Sequence, residues 1–289
     1  MDVMGRIERA LQDALDRAGL PLCPPSLAAA MRHAVFPRGA RIRPRLCLAV
    51  AAACAEDRPG VTDAAAAAIE LLHCASLVHD DLPCFDDAPI RRGRPTVHVA
   101  YGQPLAVLAG DALIVLAFQT LAQGAACAPE RLAPLMLVVG QAVGVPGGIV
   151  AGQAWECEPD VDLALYQRQK TGALFAAATV AGAAAAGHES EAWRPVGAFL
   201  GEAFQVADDI LDATASPELL GKPVGQDAAL HRPSAVQALG LAGARERLEQ
   251  LAAQAVQAVP RCSGQASLRS HIMSEALRLL PQETALHAA

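Results

Sequence analysis

The 289-residue chain is 53% hydrophobic and 18% charged, enough apolar material for a sizeable core; with only 3% aromatics, that core must be built from Ala, Leu, Val and Ile. A formal charge of −7 argues against general nucleic-acid binding. Eight cysteines with no CxxC spacing read as reduced thiols of a cytoplasmic protein, most of them in apolar helical stretches, not as a disulfide scaffold. The first stretch, "MDVMGRIERALQDALDRAG", is amphipathic and of mixed charge, unlike the basic start and apolar block of a signal peptide. It predicts a helix over 3–18 with Gly19 as its C-cap. Helices over 25–34 and 43–56 flank "RGARIRPR", which supplies Arg38, Arg41, Arg43 and Arg45. A helix over 62–81, started by Thr62 or Asp63 and carrying the alanine tract 64–68, runs into "HDDLPCFDD". A loop over 82–95 holds "RRGRP"; helices over 105–123, 130–143 and 148–155 follow. The uncharged run Leu132–Trp155 is long enough to span a membrane, but Pro134, Gln141, Pro146, Gly147, Gly148 and Gln153 interrupt it. Two helices with a break at "GVPGG", and no membrane span, are the expectation. Helices over 163–186, 190–214, 234–257 and 265–279 complete the chain, with a loop at 215–233. No alternating strand pattern and no domain linker is found, so residues 1–289 are expected to form one all-α domain.

Two polar islands break the apolar pattern. Asp80, Asp81, Asp86 and Asp87 end the fourth helix, where Ile69, His73, Ser76 and Asp80 form one stripe. In "FQVADDILD", Gln205, Asp208, Asp209 and Asp212 are spaced i, i+3, i+4, i+7 and share one helix face. Carboxylates about 4 Å apart repel by roughly 4 kcal/mol at an effective dielectric of about 20, so a cation is expected to offset them. Oxygen donors without a Cys/His set favour Mg²⁺, which keeps waters and is completed by substrate phosphates. Basic residues lie nearby in sequence: Arg91, Arg92 and Arg94 after the first island, and Lys170 and Lys222, the chain's two lysines, bracketing the second. Acids and bases together suit a metal-bound polyphosphate. No GxxxxGK[ST] loop and no GxGxxG is present, and aromatics to stack a base are few. The rest of the ligand should then be aliphatic, which points to an isoprenoid.

The segments "ARIRP", "LVHDDLPCFDDAPIRRGRPTVHVAYG", "LAGDAL", "KTGALF", "FQVADDILD" and "GKPVG" resemble, in order, the trans-isoprenyl diphosphate synthases, especially the bacterial geranylgeranyl diphosphate synthases of carotenoid and bacteriochlorophyll pathways. The resemblance implies a single bundle of long helices around a deep cavity (the isoprenoid synthase type), usually a homodimer. It implies that Asp80, Asp81, Asp86, Asp208, Asp209 and Asp212 clamp three Mg²⁺ ions onto an allylic diphosphate. It implies that Arg91, Lys170 and Lys222 hold that diphosphate, that Arg41, His73 and Arg92 bind isopentenyl diphosphate, and that Thr171 and Gln205 stand near the developing allylic cation. Lys170, Thr171 and Gln205 are thus the expected catalytic set. The chain departs from the family at Ala40, where a lysine is usual, at Ala88, at Gln226 in place of a lysine and at Ala235 in place of a tyrosine.

Product length follows from the same resemblance. In the family a bulky residue five positions before the first aspartate stops the tail at fifteen carbons. Here that position is Ala75, followed by Ser76, about 7.5 Å down the helix from Asp80 at 1.5 Å per residue. A small side chain predicts a C20 product from dimethylallyl, geranyl or farnesyl diphosphate. The alternatives are a farnesyl diphosphate synthase, with Ile114 or Phe118 closing the cavity sooner, and an HD-type metal phosphohydrolase using His79-Asp80 with His33 and His73. A terpene cyclase would want more aromatics, and a non-catalytic partner subunit would have lost aspartates.

Overall fold

A computed structural model describes residues 2–19, 21–36, 39–160, 162–214 and 234–277. Every predicted helical stretch holds a helix there. The loop 215–233, with Lys222 and Gln226, and Arg38 lie outside the described residues. The chain forms two compact units, Met1–Gln141 with Ala177–Ser190, and Ala142–Ala176 with Glu191–Ala289.

In the first unit, α1 (Val3–Ala18), α2 (Pro25–Val35) and α3 (Ile42–Ala53) surround α4 (Pro59–Asp80), whose main partner is α6 (Gln103–Gly124). Helix α4 starts three residues before Thr62, at Pro59, because proline at the first position needs no N–H partner and has its φ already set. Its alanine tract Ala64–Ala68 is buried, which lets neighbouring backbones approach closely. A Cβ on Gly110 of α6 would fall 2.0 Å from Nε2 of His79, so this glycine makes room for the histidine ring. Between α4 and α6, "RRGRP" forms the hairpin β1 (Ile90–Arg91) and β2 (Arg94–Pro95), with Ile90 opposite Pro95 and Arg91 opposite Arg94. Arg92 (φ 53) and Gly93 (φ 73) both have positive φ, as a type I′ turn demands. A short helix α5 (Val97–Tyr101), absent from the sequence reading, leads into α6.

Helix α7 (Pro129–Val143) begins in the first unit, and α8 (Ile149–Ala154) belongs to the second. The uncharged run is therefore two helices broken at 144–148. Two other helices are long and apolar enough to cross a membrane by length and composition, Pro59–Asp80 and Gln103–Cys127, and the first is mostly buried in the fold.

In the second unit, α9 (Leu163–Gln167) passes through a π-helical turn, Arg168–Gly172, into α10 (Ala173–Ala185), whose later part belongs to the first unit. Helix α11 (Arg194–Thr214) packs along α12 (Ala235–Ala258), and α13 (Gln265–Leu277) packs on α12. Ala203, Val206, Ala207 and Ile210 of α11 meet Ala244, Leu248 and Leu251 of α12 in a closed apolar cluster. Each fully buried leucine there contributes roughly 1.5–3 kcal/mol. Gly240 (φ 69) breaks the helical path of α12, a conformation that suits a residue without Cβ. Along α11 the backbone of a neighbour comes close at Gly197, where a Cβ would lie 2.3 Å from the Phe175 carbonyl, and at Gly201, where it would lie 2.9 Å from Gly172 Cα. Gly197 thus seats α11 on α10 and Gly201 seats it on the end of the π-turn, with Gln205, one turn on from Gly201, beside Thr171.

Candidate active site

In the first unit the acidic motif is a helix end folded back on itself. The Asp81 N–H still donates to Leu77 O, and the chain then turns so that Asp86 N–H donates to Asp80 O at 3.0 Å. Asp87 N–H donates to Leu82 O and Ala88 N–H to Asp81 O. Asp80 and Asp86, six residues further along, are thus neighbours; Asp80 is half-buried and Asp86 exposed. His98 lies alongside, its Nδ1 3.1 Å from Thr96 Oγ1 and its Nε2 3.9 Å from Asp87 Oδ1.

Asp81 differs from its neighbours. It is 3% exposed and accepts from Arg91 Nε at 2.8 and 2.9 Å and from Arg91 Nη2 at 2.6 Å. This bidentate, charge-assisted pair ties the hairpin to the end of α4. Burial nevertheless pushes the Asp81 carboxyl above its ordinary pKa, with Arg91 opposing. Burial would lower the Arg91 pKa, but Asp81, with Asp80 and Asp86, raises it on balance.

A cluster of cations lies behind this motif. Burial first, then Arg43, Arg92, Arg91 and Arg41, hold the His73 imidazole well below its usual pKa. Burial also lowers the Arg43 guanidinium to about 10, with Arg92 adding to the shift and Glu70 opposing it. The guanidinium of Arg92 rests against Gly39, where a Cβ would fall 2.6 Å from its Cζ. His33, Cys74, Asp81, Arg91, Arg92 and Arg94 line a small cleft beneath the hairpin. Arg41 takes a different place. Its side chain is fully buried; Nε donates to Glu8 at 3.0 Å, Nη1 to Glu70 at 2.7 Å and Nη2 to Val35 O at 2.9 Å. Its φ of 52 is a strained value for a non-glycine residue at a helix start, held by these contacts. Arg43, one of four arginines in "RGARIRPR", was not singled out by the sequence reading; the structure gives it the cluster position.

The second unit carries the other motif. Asp208 and Asp212 are half-buried on α11, whereas Asp209 is 3% exposed. Asp209 Oδ1 accepts from Gln205 Nε2 at 3.0 Å and Oδ2 from the Ala235 N–H at 2.7 Å, at the first turn of α12. Thr171 Oγ1 donates to Gln205 Oε1 at 3.1 Å. Lys170 Nζ donates to Glu156 Oε1 at 2.6 Å and lies 5.7 Å from the Tyr166 ring centroid. Glu156 also accepts from Tyr166 Oη at 2.6 Å and Gln153 Nε2 at 2.7 Å. Sequence reasoning passed over Glu156 and used Gln153 only as an interruption of the uncharged run. The available signal was Glu156 itself, the carboxylate that ends the uncharged run Leu132–Trp155.

The donors fit a hard cation. Asp80 and Asp86 stand together, and Asp208 and Asp212 share a helix face, all as carboxylate oxygens suited to magnesium. Among the described residues no three His, Cys, Asp or Glu side chains form a ready-made cage. Two of the three histidines of the phosphohydrolase alternative are engaged elsewhere: His33 Nε2 lies 2.7 Å from Pro95 O, and His79 Nε2 lies 3.2 Å from Val107 O. All eight cysteines are free thiols. Cys84, Cys127 and Cys157 are exposed, so fewer of the eight are buried in helices than the sequence suggested.

Helical units carrying paired carboxylates and clustered arginines fit the class of all-α proteins that handle metal-bound diphosphates. Residues 24–266 match the family model described as polyprenyl synthetase, and the chain belongs to that family. Over 280 residues, 97% of each chain, it is 52% identical to a geranylgeranyl diphosphate synthase of Cereibacter sphaeroides. It is 53% identical, over the same share of each chain, to one of Rhodobacter capsulatus. A solved structure of a Helicobacter pylori geranyltransferase, complexed with magnesium and isoprenyl diphosphate, superposes with a TM-score of 0.82 at 29% identity and covers 96% of each chain.

Proposed function

We infer that this protein is a trans-prenyltransferase that condenses isopentenyl diphosphate with dimethylallyl, geranyl or farnesyl diphosphate to give geranylgeranyl diphosphate. The observation that carries this reading is the pairing of Asp80 with Asp86 beside the Arg91, Arg92, Arg43 and His73 cluster. The relatives at 52% and 53% identity support the C20 product. Residues 1–289 then work as one catalytic domain made of both units.

Asp80, Asp86, Asp208 and Asp212 would hold magnesium, three ions with substrate bound by family resemblance. When bound, magnesium neutralises the diphosphate and eases its departure. Asp81 and Asp209, buried and already hydrogen-bonded, serve to fasten Arg91 and the start of α12. Arg91, Lys170 and Lys222 bind the allylic diphosphate. Arg92, His73 and Arg43 bind isopentenyl diphosphate, and Arg41 supports them through Glu70. The cationic cluster also supplies charge that the lysine missing at Ala40 would have given. Thr171 and Gln205 face the allylic carbon as its C–O bond breaks. Closure of the site excludes water from the cation. The double bond of isopentenyl diphosphate attacks that carbon, and released pyrophosphate takes the proton lost as the new double bond forms.

The enzyme is read as a cytoplasmic homodimer. Exposed apolar residues of α6, Val107, Leu108 and Val115, are the surface offered for that contact, and sedimentation mass is the check. Incubating the protein with Mg²⁺, isopentenyl diphosphate and each allylic starter tests the function. A C20 product is expected. A product that stops at C15 would favour the farnesyl reading, and inorganic phosphate release from nucleotides without coupling would favour the phosphohydrolase.

A further inference from the structure

The second acidic motif contains a hydrogen-bond chain with a fixed direction. An ionised carboxylate can only accept. Asp209 sits between two N–H groups, Gln205 Nε2 at 3.0 Å and the Ala235 backbone at 2.7 Å. The backbone N–H cannot rotate away. The amide of Gln205 must therefore turn its NH₂ toward Asp209 and its oxygen away, whichever way an amide would be drawn from shape alone. That oxygen lies 3.1 Å from Thr171 Oγ1 and can only accept, so the Thr171 hydroxyl must donate to it. Every hydrogen in the chain points toward Asp209. What is left at the outer end is lone pairs, on Thr171 Oγ1 and on Gln205 Oε1.

We propose that Asp209 is a positioning residue that sets the polarity of the Thr171–Gln205 pair, so that both present lone pairs and not hydrogens to the positive charge growing on the allylic carbon. The inference rests on the reading that places Thr171 and Gln205 beside that carbon. No proton moves and no bond to Asp209 forms or breaks; its effect is electrostatic preorganisation. It gives Asp209 a task different from metal ligation, in keeping with its burial and its two engaged oxygens.

D209N tests the idea because its amide is nearly the same shape. The oxygen of the introduced asparagine must serve the Ala235 N–H, so its NH₂ faces Gln205, which then has to flip and turn its own hydrogens toward Thr171. The charge-swapped double variant D209N/Q205E restores an acceptor at 205 for both the asparagine and Thr171, with total charge unchanged. We expect D209N to lower kcat by about 10–100-fold, less than the roughly 10²–10³-fold lost with a preorganised group that itself touches the reacting atoms. KM for both diphosphates and the Mg²⁺ concentration for half-activity should stay within about 2–3-fold. The double variant should recover most of the lost kcat. A raised Mg²⁺ requirement that excess Mg²⁺ corrects would overturn the proposal in favour of a metal ligand. A folded D209N that keeps wild-type kcat would overturn it too.

A second readout needs neither turnover nor a well-folded variant. In metal-free wild-type protein labelled with ¹⁵N-glutamine, the Gln205 side-chain NH₂ should exchange its hydrogens slowly; exchange as fast as in a free amide contradicts the relay. Wild-type protein that forms no prenyl product would sink the function, while the exchange measurement would still decide the relay.

Discussion

Single residues divide by whether their charge is already spent. Arg41 and Glu70 are almost wholly buried and 2.7 Å apart. Removing one partner of such a pair leaves an uncompensated buried charge, at about 3–5 kcal/mol. Arg41→Met is therefore expected to lower the thermal midpoint far more than it raises KM for isopentenyl diphosphate. A KM effect with unchanged stability would return Arg41 to the substrate-binding role that sequence resemblance gave it. His73 carries the opposite signature. Its folded pKa is held well below 6.5, while in the unfolded chain it titrates near 6.5. Below that pH the unfolded chain binds the extra proton and the folded one does not, so stability is complete above about 6.5 and falls as the solution is acidified. His73→Gln should flatten the dependence of the thermal midpoint on pH between neutrality and pH 5; an unchanged slope would mean that other groups set it. Ala75, 1% exposed on α4, is the expected gate for chain length. Ala75→Tyr should shift product from C20 toward C15, and unchanged C20 output in a folded variant would remove Ala75 from that role. The aspartates were legible in the sequence because carboxylates amid Val, Leu and Phe are conspicuous. Which member of each pair is buried was not, because Asp80 and Asp81, like Asp208 and Asp209, differ only by 100° of helix rotation.

At the scale of elements, helices were read well and joints poorly. Amphipathic period and alanine tracts located α1 to α4 and α6 to α13 to within a few residues, and the break in the uncharged run was legible from Pro146, Gly147 and Gly148. The hairpin was missed because its strands are two residues long and its turn is Arg92-Gly93 instead of the usual Asn-Gly. The π-turn at Arg168–Gly172 left no pattern at all, since one inserted residue hardly alters hydrophobic spacing in so apolar a stretch. That turn matters because it carries Lys170 and Thr171. It is seated by Gly152 of α8, where a Cβ would lie 2.4 Å from Lys170 N and 2.7 Å from Lys170 Cα. Backbone cannot yield as a side chain can, so Gly152→Ala is expected to cost about 1–3 kcal/mol and to displace the turn. Its predicted outcome is a lower thermal midpoint together with a lower kcat. Wild-type turnover in this variant would show that the exact seating of the turn is dispensable. Gly39 is a gentler case: the atoms it would strike belong to the flexible end of Arg92.

The proposed reaction calls on residues of both units. The first supplies Asp80 and Asp86 with the arginine and histidine cluster; the second supplies Asp208 and Asp212 with Lys170, Thr171 and Gln205. Family membership was legible from the order of short motifs spread over most of the chain, and the match over residues 24–266 bears that out. The division into two compact units was not legible, because two of its three boundaries fall inside α7 and α10, where no loop or change of composition marks them; only the third, at Ser190–Glu191, falls in a loop. The central claim is that carboxylates from both units grip one magnesium diphosphate. A crystal structure with Mg²⁺ and an unreactive allylic thiodiphosphate measures this directly. Metal ions joining the diphosphate to Asp80 and Asp86 on one side, and to Asp208 on the other, are the predicted result. A diphosphate held by arginines alone, with the two aspartate motifs at separate places, would contradict it.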